Sequence, residues 1–113
     1  MTKYRVRITR QAARHLEAIR DYIIDEFHAP DAAKKILRLL RGKMASLSNM
    51  PGHVKTIDEQ PWGDYGFRKV KVRNYYIYFW LNEEEKKVQV IGVIYVKMDQ
   101  VRQLMQMDLD IEE

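Results

Sequence analysis

The segment GFRKVKVRNYYIYFWL, residues 66–81, decides which fold the sequence predicts. Its first half carries a cation at every second position, and its second half is almost entirely aromatic. Because side chains alternate between the two faces of a strand, the segment is typical of two strands with one apolar face each. The opposite face then collects cations and rings, namely Lys69, Lys71, Arg73, Tyr76, Tyr78 and Trp80.

Before this segment, the apolar spacing changes from that of a strand to that of a helix. Tyr4, Val6 and Ile8 recur with the period of a half-buried strand, and Thr9 stands where a helix N-cap is expected. Apolar side chains three and four positions apart then predict a first helix that reaches Phe27.

A second helix follows the link HAPD, residues 28–31. Pro30 disfavours helical backbone at the residue before it, and Asp31 is expected to cap the new helix. So short a link predicts an antiparallel helix hairpin. The apolar stripe of the second helix consists of Ala33, Ile36, Leu37, Leu40, Met44 and Leu47.

The C-terminal part of the chain predicts one more strand and one more helix. Residues 88–97 are apolar at both odd and even positions, which is typical of a central strand. Tyr95 and Lys97 share the parity of Gln89, so we expect both on the polar face of the sheet. The last helix is predicted from about Asp99.

The remaining segment, residues 51–65, predicts a long loop with a brief strand at 54–57 and with Trp62 as an anchor. The whole chain, residues 1–113, therefore predicts a single α+β domain. Its antiparallel sheet has an N-terminal strand, a two-helix hairpin packed on one face, three further strands and a short C-terminal helix. The second face of the sheet is expected to be open.

Composition excludes several classes of function. The 113 residues include no cysteine, which excludes disulfides and thiolate metal sites and suits a reducing cytoplasm. His15, His28 and His53 lie far apart along the chain, so we expect no metal site and no cofactor. No glycine-rich phosphate loop or glycine-flanked serine nucleophile is present. The longest apolar runs have seven residues, whereas a membrane span needs about 18, so no membrane association is expected.

The charge pattern favours nucleic acid as a partner. Residues 98–113 carry a net charge of −4 and the first 97 residues +8, so the acidic tail is expected to shield the basic body or to keep it soluble. Cations at alternate strand positions recur about every 6.6–6.8 Å, near the phosphate spacing of an extended single strand, and rings beside them can stack on bases. The alternative is a solvated face on which Tyr76 and Tyr78 pack across strands.

The order of these motifs resembles the RelE/ParE superfamily, the toxins of bacterial type II toxin–antitoxin modules. The resemblance rests on YRVRIT with AARHLEAIRDYI, APDAAKKI, LSNMP, GFRKVKVRNYYIYF and VQVIGVIYVKMD. It implies a cytoplasmic toxin with a cognate antitoxin as partner. We predict growth arrest by ribosome-associated cleavage of messenger RNA, which RelE-like members perform without a metal. The alternative is the poisoning of DNA gyrase without catalysis, as by ParE-like members. An inactive RNA-binding relative is the third possibility.

The resemblance also assigns roles to individual residues. Arg73, at the end of KVKVR, corresponds to a basic residue of RelE-type toxins, and Lys97 stands where the family usually has arginine. Tyr95 matches a position often held by His or Tyr. RelE-like cleavage would use Arg73 and Lys97 to steady the phosphate and Tyr95 as proton acceptor, while the RNA is held by Arg68, Lys69, Lys71, Tyr76 and Tyr78.

Overall fold

In a computed structural model, residues 3–109 are described, and they form four strands and three helices. The strands are β1 (Arg5–Ile8), β2 (Phe67–Val72), β3 (Tyr75–Asn82) and β4 (Lys87–Tyr95). The helices are α1 (Arg10–Phe27), α2 (Pro30–Ser46) and α3 (Gln100–Gln106). The part of the acidic tail that comprises residues 110–113 lies outside the described residues.

The strands form one sheet in the order β1-β4-β3-β2. Strands β2, β3 and β4 are antiparallel neighbours, as predicted, whereas β1 pairs with β4 in parallel. The α+β prediction is confirmed, and the sheet is mixed rather than wholly antiparallel. A parallel pair needs a long connection, and the helix hairpin together with β2 and β3 supplies it.

Thr9 joins the first strand to the first helix. Its side-chain oxygen accepts from the Ala12 N–H at 3.2 Å, which caps α1 as predicted, and its hydroxyl donates to the Val90 carbonyl at 2.8 Å. For α2 the predicted cap is wrong: the N-cap is Ala29 without a side-chain bond, and Asp31 lies within the first turn. Pro30 begins that helix, because a proline has no N–H to leave unsatisfied there.

The helix hairpin covers one face of the sheet. Apolar side chains of α1 and α2 pack there against alternate residues of the strands, among them Leu16, Leu40, Met44, Ile77, Phe79, Val88 and Val90. Each of these is at most 1% exposed. The side chains that α1 and α2 contribute to this core belong to the apolar stripes that the residue spacing predicted.

The second face is also covered, so the prediction of an open face is wrong. A separate cluster of buried side chains lies on it, made of Ile57, Trp62, Phe67, Tyr78, Ile91, Ile94 and Leu104. The loop before β2 contributes Ile57 and Trp62, and α3 contributes Leu104. The apolar area that β3 and β4 present on both faces explains this cover, because exposed area of that size is unfavourable in water.

The loop before β2 is more ordered than predicted. Residues 51–53 form a single 3-10 turn, and Thr56 makes an isolated bridge to Arg68 in place of the expected brief strand. Trp62 is 9% exposed and packs in the second cluster, which confirms its prediction as an anchor.

Candidate functional site

Lys69 lies on the second face of the sheet, beside two tyrosines. Its Nζ is 3.2 Å from Oε2 of Glu59 and 4.3 Å from the ring centre of Tyr76. Lys69 is opposite Tyr78 and Lys71 is opposite Tyr76 in the β2–β3 register, so these four side chains share one face as the alternation predicted. The Glu59 carboxylate and the Tyr76 ring hold the Lys69 ammonium in place. Lys71, by contrast, is exposed.

Tyr78 is not available for stacking on a base. The residue is 1% exposed, and its hydroxyl donates to Oε1 of Gln100 at 2.7 Å. Burial is the main reason that the pKa of Tyr78 is raised, with the Glu59 carboxylate as the next cause. The predicted nucleic-acid contact of this ring is therefore a contact with α3 in the structure.

Arg68 points away from the second face and holds the loop before β2. Its Nη1 donates to the carbonyl oxygens of Gly52, at 3.1 Å, and Val54. A guanidinium that serves two backbone carbonyls stabilises the loop–strand junction. The structure therefore places Arg68 in a structural position, apart from Lys69 and Lys71.

A β-bulge in β4 separates Tyr95 from Lys69 and Lys71 on the second face. Tyr78 is opposite Gly92 and Phe79 is opposite Val90, which leaves Ile91 as an extra residue. An extra residue shifts all later side chains to the other face. The expectation that Tyr95 shares the polar face is therefore wrong. It is opposite Tyr75, on the side of the helix hairpin, and the two rings meet edge to face at 5.8 Å.

Arg73 and Lys97 come from segments that are hydrogen-bonded to each other at one end of the sheet. The turn between β2 and β3 contains Arg73 and Asn74, and the Val96 N–H donates to the Asn74 carbonyl at 2.8 Å. Arg73 has a φ of 55°, the left-handed conformation of a tight turn. Both cations are exposed, and neither forms an ion pair within residues 3–109.

Next to this end of the sheet is a groove of about 690 Å³ that the sequence did not predict. We call it the aromatic groove, and its walls include Tyr22, Phe27, Tyr75, Tyr95 and Met98. Burial is the first cause that raises the pKa of Tyr75, which keeps its ring neutral. The apolar side chains of Tyr22 and Phe27 at the end of α1 could have indicated this groove from the sequence. The apolar stripe of the helix continues there beyond the residues that pack in the core, and both side chains are exposed.

Within residues 3–109 no cluster of three or more His, Asp or Glu side chains could hold a metal ion. His15 instead accepts a hydrogen bond at Nδ1 from the Val93 N–H, at 3.0 Å. Burial and then the neighbouring Arg14 lower the pKa of this imidazole. None of the helices in the same range is both long enough and apolar enough to span a membrane.

Comparisons with known proteins point to one family. A family model described as the ParE toxin of the type II toxin–antitoxin system parDE matches residues 6–100. No curated protein matches the chain.

Three solved structures have a similar fold at low sequence identity. The chromosomal ParDE TA system from P. aeruginosa has a TM-score of 0.70 and 19% identity, covering 86% of this chain and 100% of that one. A free mutant of E. coli toxin RelE has a TM-score of 0.60 and 15% identity, covering 89% and 92%. The RelBE2 toxin–antitoxin complex from Mycobacterium tuberculosis has a TM-score of 0.55 and 19% identity, covering 82% and 98%.

Proposed function

Because this chain belongs to the ParE toxin family of type II toxin–antitoxin systems, we propose that it arrests growth by binding a macromolecular target rather than by cutting RNA. DNA gyrase is the target that we assign to it. The resemblance to the RelE/ParE superfamily in the sequence is confirmed by the family match.

The position of Tyr95 is the observation that carries this proposal. Cleavage of RNA by general acid–base chemistry requires a proton acceptor within hydrogen-bond reach of the hydroxyl group, beside the cations that hold the phosphate. Tyr95 packs on Tyr75 on the hairpin side of the sheet, whereas Lys69 and Lys71 project from the opposite side. This separation supports a binding role.

We also propose a cognate antitoxin as partner. Toxin–antitoxin complexes are among the structures with the same fold. The chain has exposed apolar side chains that a partner could cover, namely Tyr22, Phe27, Met98, Val101 and Met105. Exposed aromatic and methionine side chains are typical of protein interfaces.

Messenger-RNA cleavage on the ribosome is the second candidate function, and Arg73 and Lys97 favour it. Both cations are exposed on segments joined by the Val96–Asn74 hydrogen bond. Two cations at one place can neutralise the charge that develops on a phosphate during cleavage. Tyr95, two residues before Lys97 and in the wall of the adjacent aromatic groove, is the proton acceptor that this candidate would use.

Brief expression in a bacterial host, followed by two measurements, distinguishes the two functions. A gyrase poison is expected to induce the DNA damage response and to leave transcripts intact in primer extension. Purified protein should likewise inhibit supercoiling by purified gyrase. Cleaved transcripts without DNA damage would contradict the gyrase proposal and favour the RNA candidate.

The variant Tyr95→Phe makes the same distinction at a single atom. It removes the hydroxyl and keeps the ring against Tyr75, so a binding toxin should arrest growth as the wild type does. Exposed Lys55→Ala is the matched control. Loss of growth arrest in Tyr95→Phe, with intact folding by circular dichroism, would show that the hydroxyl takes part in a reaction.

A further inference from the structure

One border of the aromatic groove is acidic. The end of α1 contributes Tyr22 and Phe27 to the groove, and Asp25 and Glu26 lie between them in the sequence. Glu26 is four residues after Tyr22 and three after Ile23, which also lines the groove, so it lies on the groove side of the helix. Both carboxylates are exposed, and neither forms an ion pair within residues 3–109.

The border at the end of the sheet is basic. Asn74 and Met98 line the groove there, and each directly follows an exposed cation, Arg73 and Lys97 respectively. Among the described residues, neither cation has an ion-pair partner, so no salt bridge crosses the groove from one border to the other. The groove therefore has unpaired acids on one side and unpaired bases on the other.

Apolar surface fills the space between the two charged borders. Phe27 is 64% exposed and Tyr22 is 58% exposed, and their rings meet edge to face at 5.9 Å at the tip of α1. Tyr95 and Met98 are exposed in the same groove. Exposed rings and methionine inside a charged rim are typical of a protein–protein interface.

We infer that two copies of this chain associate through the aromatic groove about a two-fold axis. Every contact in such an interface occurs twice, because the same surface is used by both copies. The tip of α1 of one protomer lies in the groove of its partner, where Asp25 and Glu26 meet the basic border and Phe27 meets the apolar wall. Opposite charges then face each other at both ends of the interface.

The division of charge favours a second copy over other occupants. Nucleic acid, or a strongly acidic protein, would meet Asp25 and Glu26 with like charge, and a strongly basic protein would meet Arg73 and Lys97 in the same way. A surface with acids at one border and bases at the other is complementary to itself after a two-fold rotation. The association also covers Arg73 and Lys97, and that this hides them from a target rests on the proposed function, whereas the association does not.

Charge reversal tests the two-fold contact. Sedimentation equilibrium of the purified chain, free of any other protein, should show monomers and dimers, with fewer dimers as salt is added. Asp25→Lys with Glu26→Lys should raise the Kd of the dimer at least tenfold, and Arg73→Glu with Lys97→Glu should do the same. Circular dichroism establishes that both double variants are folded.

Two matched controls carry the same changes of charge on other surfaces. Glu83→Lys with Glu84→Lys alters the exposed turn between β3 and β4, at the opposite end of the sheet from the turn that contains Arg73. Arg38→Glu with Arg41→Glu alters the outer side of α2. Both controls should dimerise as the wild type does.

A mixture of the two charge-reversed proteins makes the test specific. Each alone should be monomeric, because like charges then meet at both ends of the interface. In the mixed pair, the new lysines meet the new glutamates at one end, and the natural acids meet the natural bases at the other. The mixture should therefore form a heterodimer with nearly the wild-type Kd, which no general loss of folding could produce.

Phe27 provides a test that is independent of charge. Phe27→Ala should raise the Kd of the dimer at least tenfold, since its ring enters the interface twice. Tyr65→Ala is the matched control, because Tyr65 is 63% exposed on the loop before β2, outside the aromatic groove. It should leave the Kd unchanged.

Several results would overturn the proposal. These are a monomer up to the highest soluble concentration, no heterodimer in the mixture, equal dimerisation by the wild type and Phe27→Ala, and growth beyond the dimer, because a two-fold contact closes. Growth arrest by the wild-type chain is measured in parallel. Arrest by a chain that stays monomeric rejects the dimer alone, and a dimer without arrest rejects the toxin proposal alone.

Discussion

The imidazole of His15 stabilises β4 at the place where the bulge has disturbed its pairing. Its Nδ1 accepts from the Val93 N–H at 3.0 Å, two residues after the extra residue Ile91. A neutral imidazole can accept at one nitrogen, and a protonated one cannot. The strand therefore depends on His15 being neutral.

This dependence predicts a change of stability with pH. Burial lowers the pKa of His15 below its ordinary value of 6.5, so the unfolded chain binds the proton more tightly than the folded chain. The contribution of His15 is present above pH 6.5 and is lost as the pH falls through the folded pKa. Urea unfolding from pH 8 to pH 5 should show this loss. His15→Gln should show a smaller slope over the same range, and an identical slope in both proteins would contradict the assignment.

Substitution by alanine is expected to have opposite effects on stability at Gly92 and at Gly42. A Cβ at Gly92 would lie 2.6 Å from the Met107 sulfur and 2.9 Å from Cε1 of His15, so Gly92→Ala should destabilise the fold by about 1–3 kcal/mol. Gly42→Ala meets nothing within 4 Å and should stabilise it by up to about 1 kcal/mol. Chemical denaturation measures both, and changes of the same sign would contradict the packing described around Gly92.

At the scale of elements, the strands could be predicted from the sequence, but the bulge could not. Alternation indicates which residues belong to β2 and β3, and their register keeps Lys69 opposite Tyr78. In β4 both parities are apolar, so the pattern carries no signal of an extra residue. The resulting shift moved Tyr95 to the hairpin side, away from Lys69 and Lys71.

The cover over the second face was missed for a related reason. Short α3 has one inward apolar residue, Leu104, while Val101 and Met105 are exposed, so its pattern did not show which face it would cover. The cations and rings of β2 and β3 resembled a solvated face, although Tyr78 lies under α3. The polar contacts that hold α3 come from residues far away in the chain.

Gln11 makes two of these long-range contacts, both to the segment that follows α3, and we expect them to stabilise α3 locally. Its amide donates to the carbonyls of Ile91 and Asp108, both at 3.0 Å, and its carbonyl accepts from the Asp108 N–H at 2.7 Å. Gln11→Ala should speed hydrogen exchange of the α3 amides and leave the middle of α1 unchanged, because the helix then opens locally. Exposed Gln106→Ala is the control, and equal exchange in all three proteins would contradict this role.

At the scale of the whole molecule, two groups of cations lie on separate surfaces. Arg38 and Arg41 line a groove of about 750 Å³ between α1 and α2, whereas Arg73 and Lys97 lie at the end of the sheet beside the aromatic groove. These cations belong to the basic first 97 residues of the sequence, and in the structure they are divided between two surfaces. Because the two grooves have no lining residue in common, one surface can serve a partner while the other serves a target.

We therefore predict that mutations on the two surfaces have different effects on growth arrest. Arg73→Ala with Lys97→Ala should relieve growth arrest, because we expect the target to meet those exposed cations. Arg38→Glu with Arg41→Glu should arrest growth normally, because those cations lie on the other surface. Growth curves and circular dichroism on the wild type and both double variants measure growth arrest apart from folding. If both double variants lost growth arrest while folded, the two surfaces would have to act as one, because distant and independent sites are expected to respond separately.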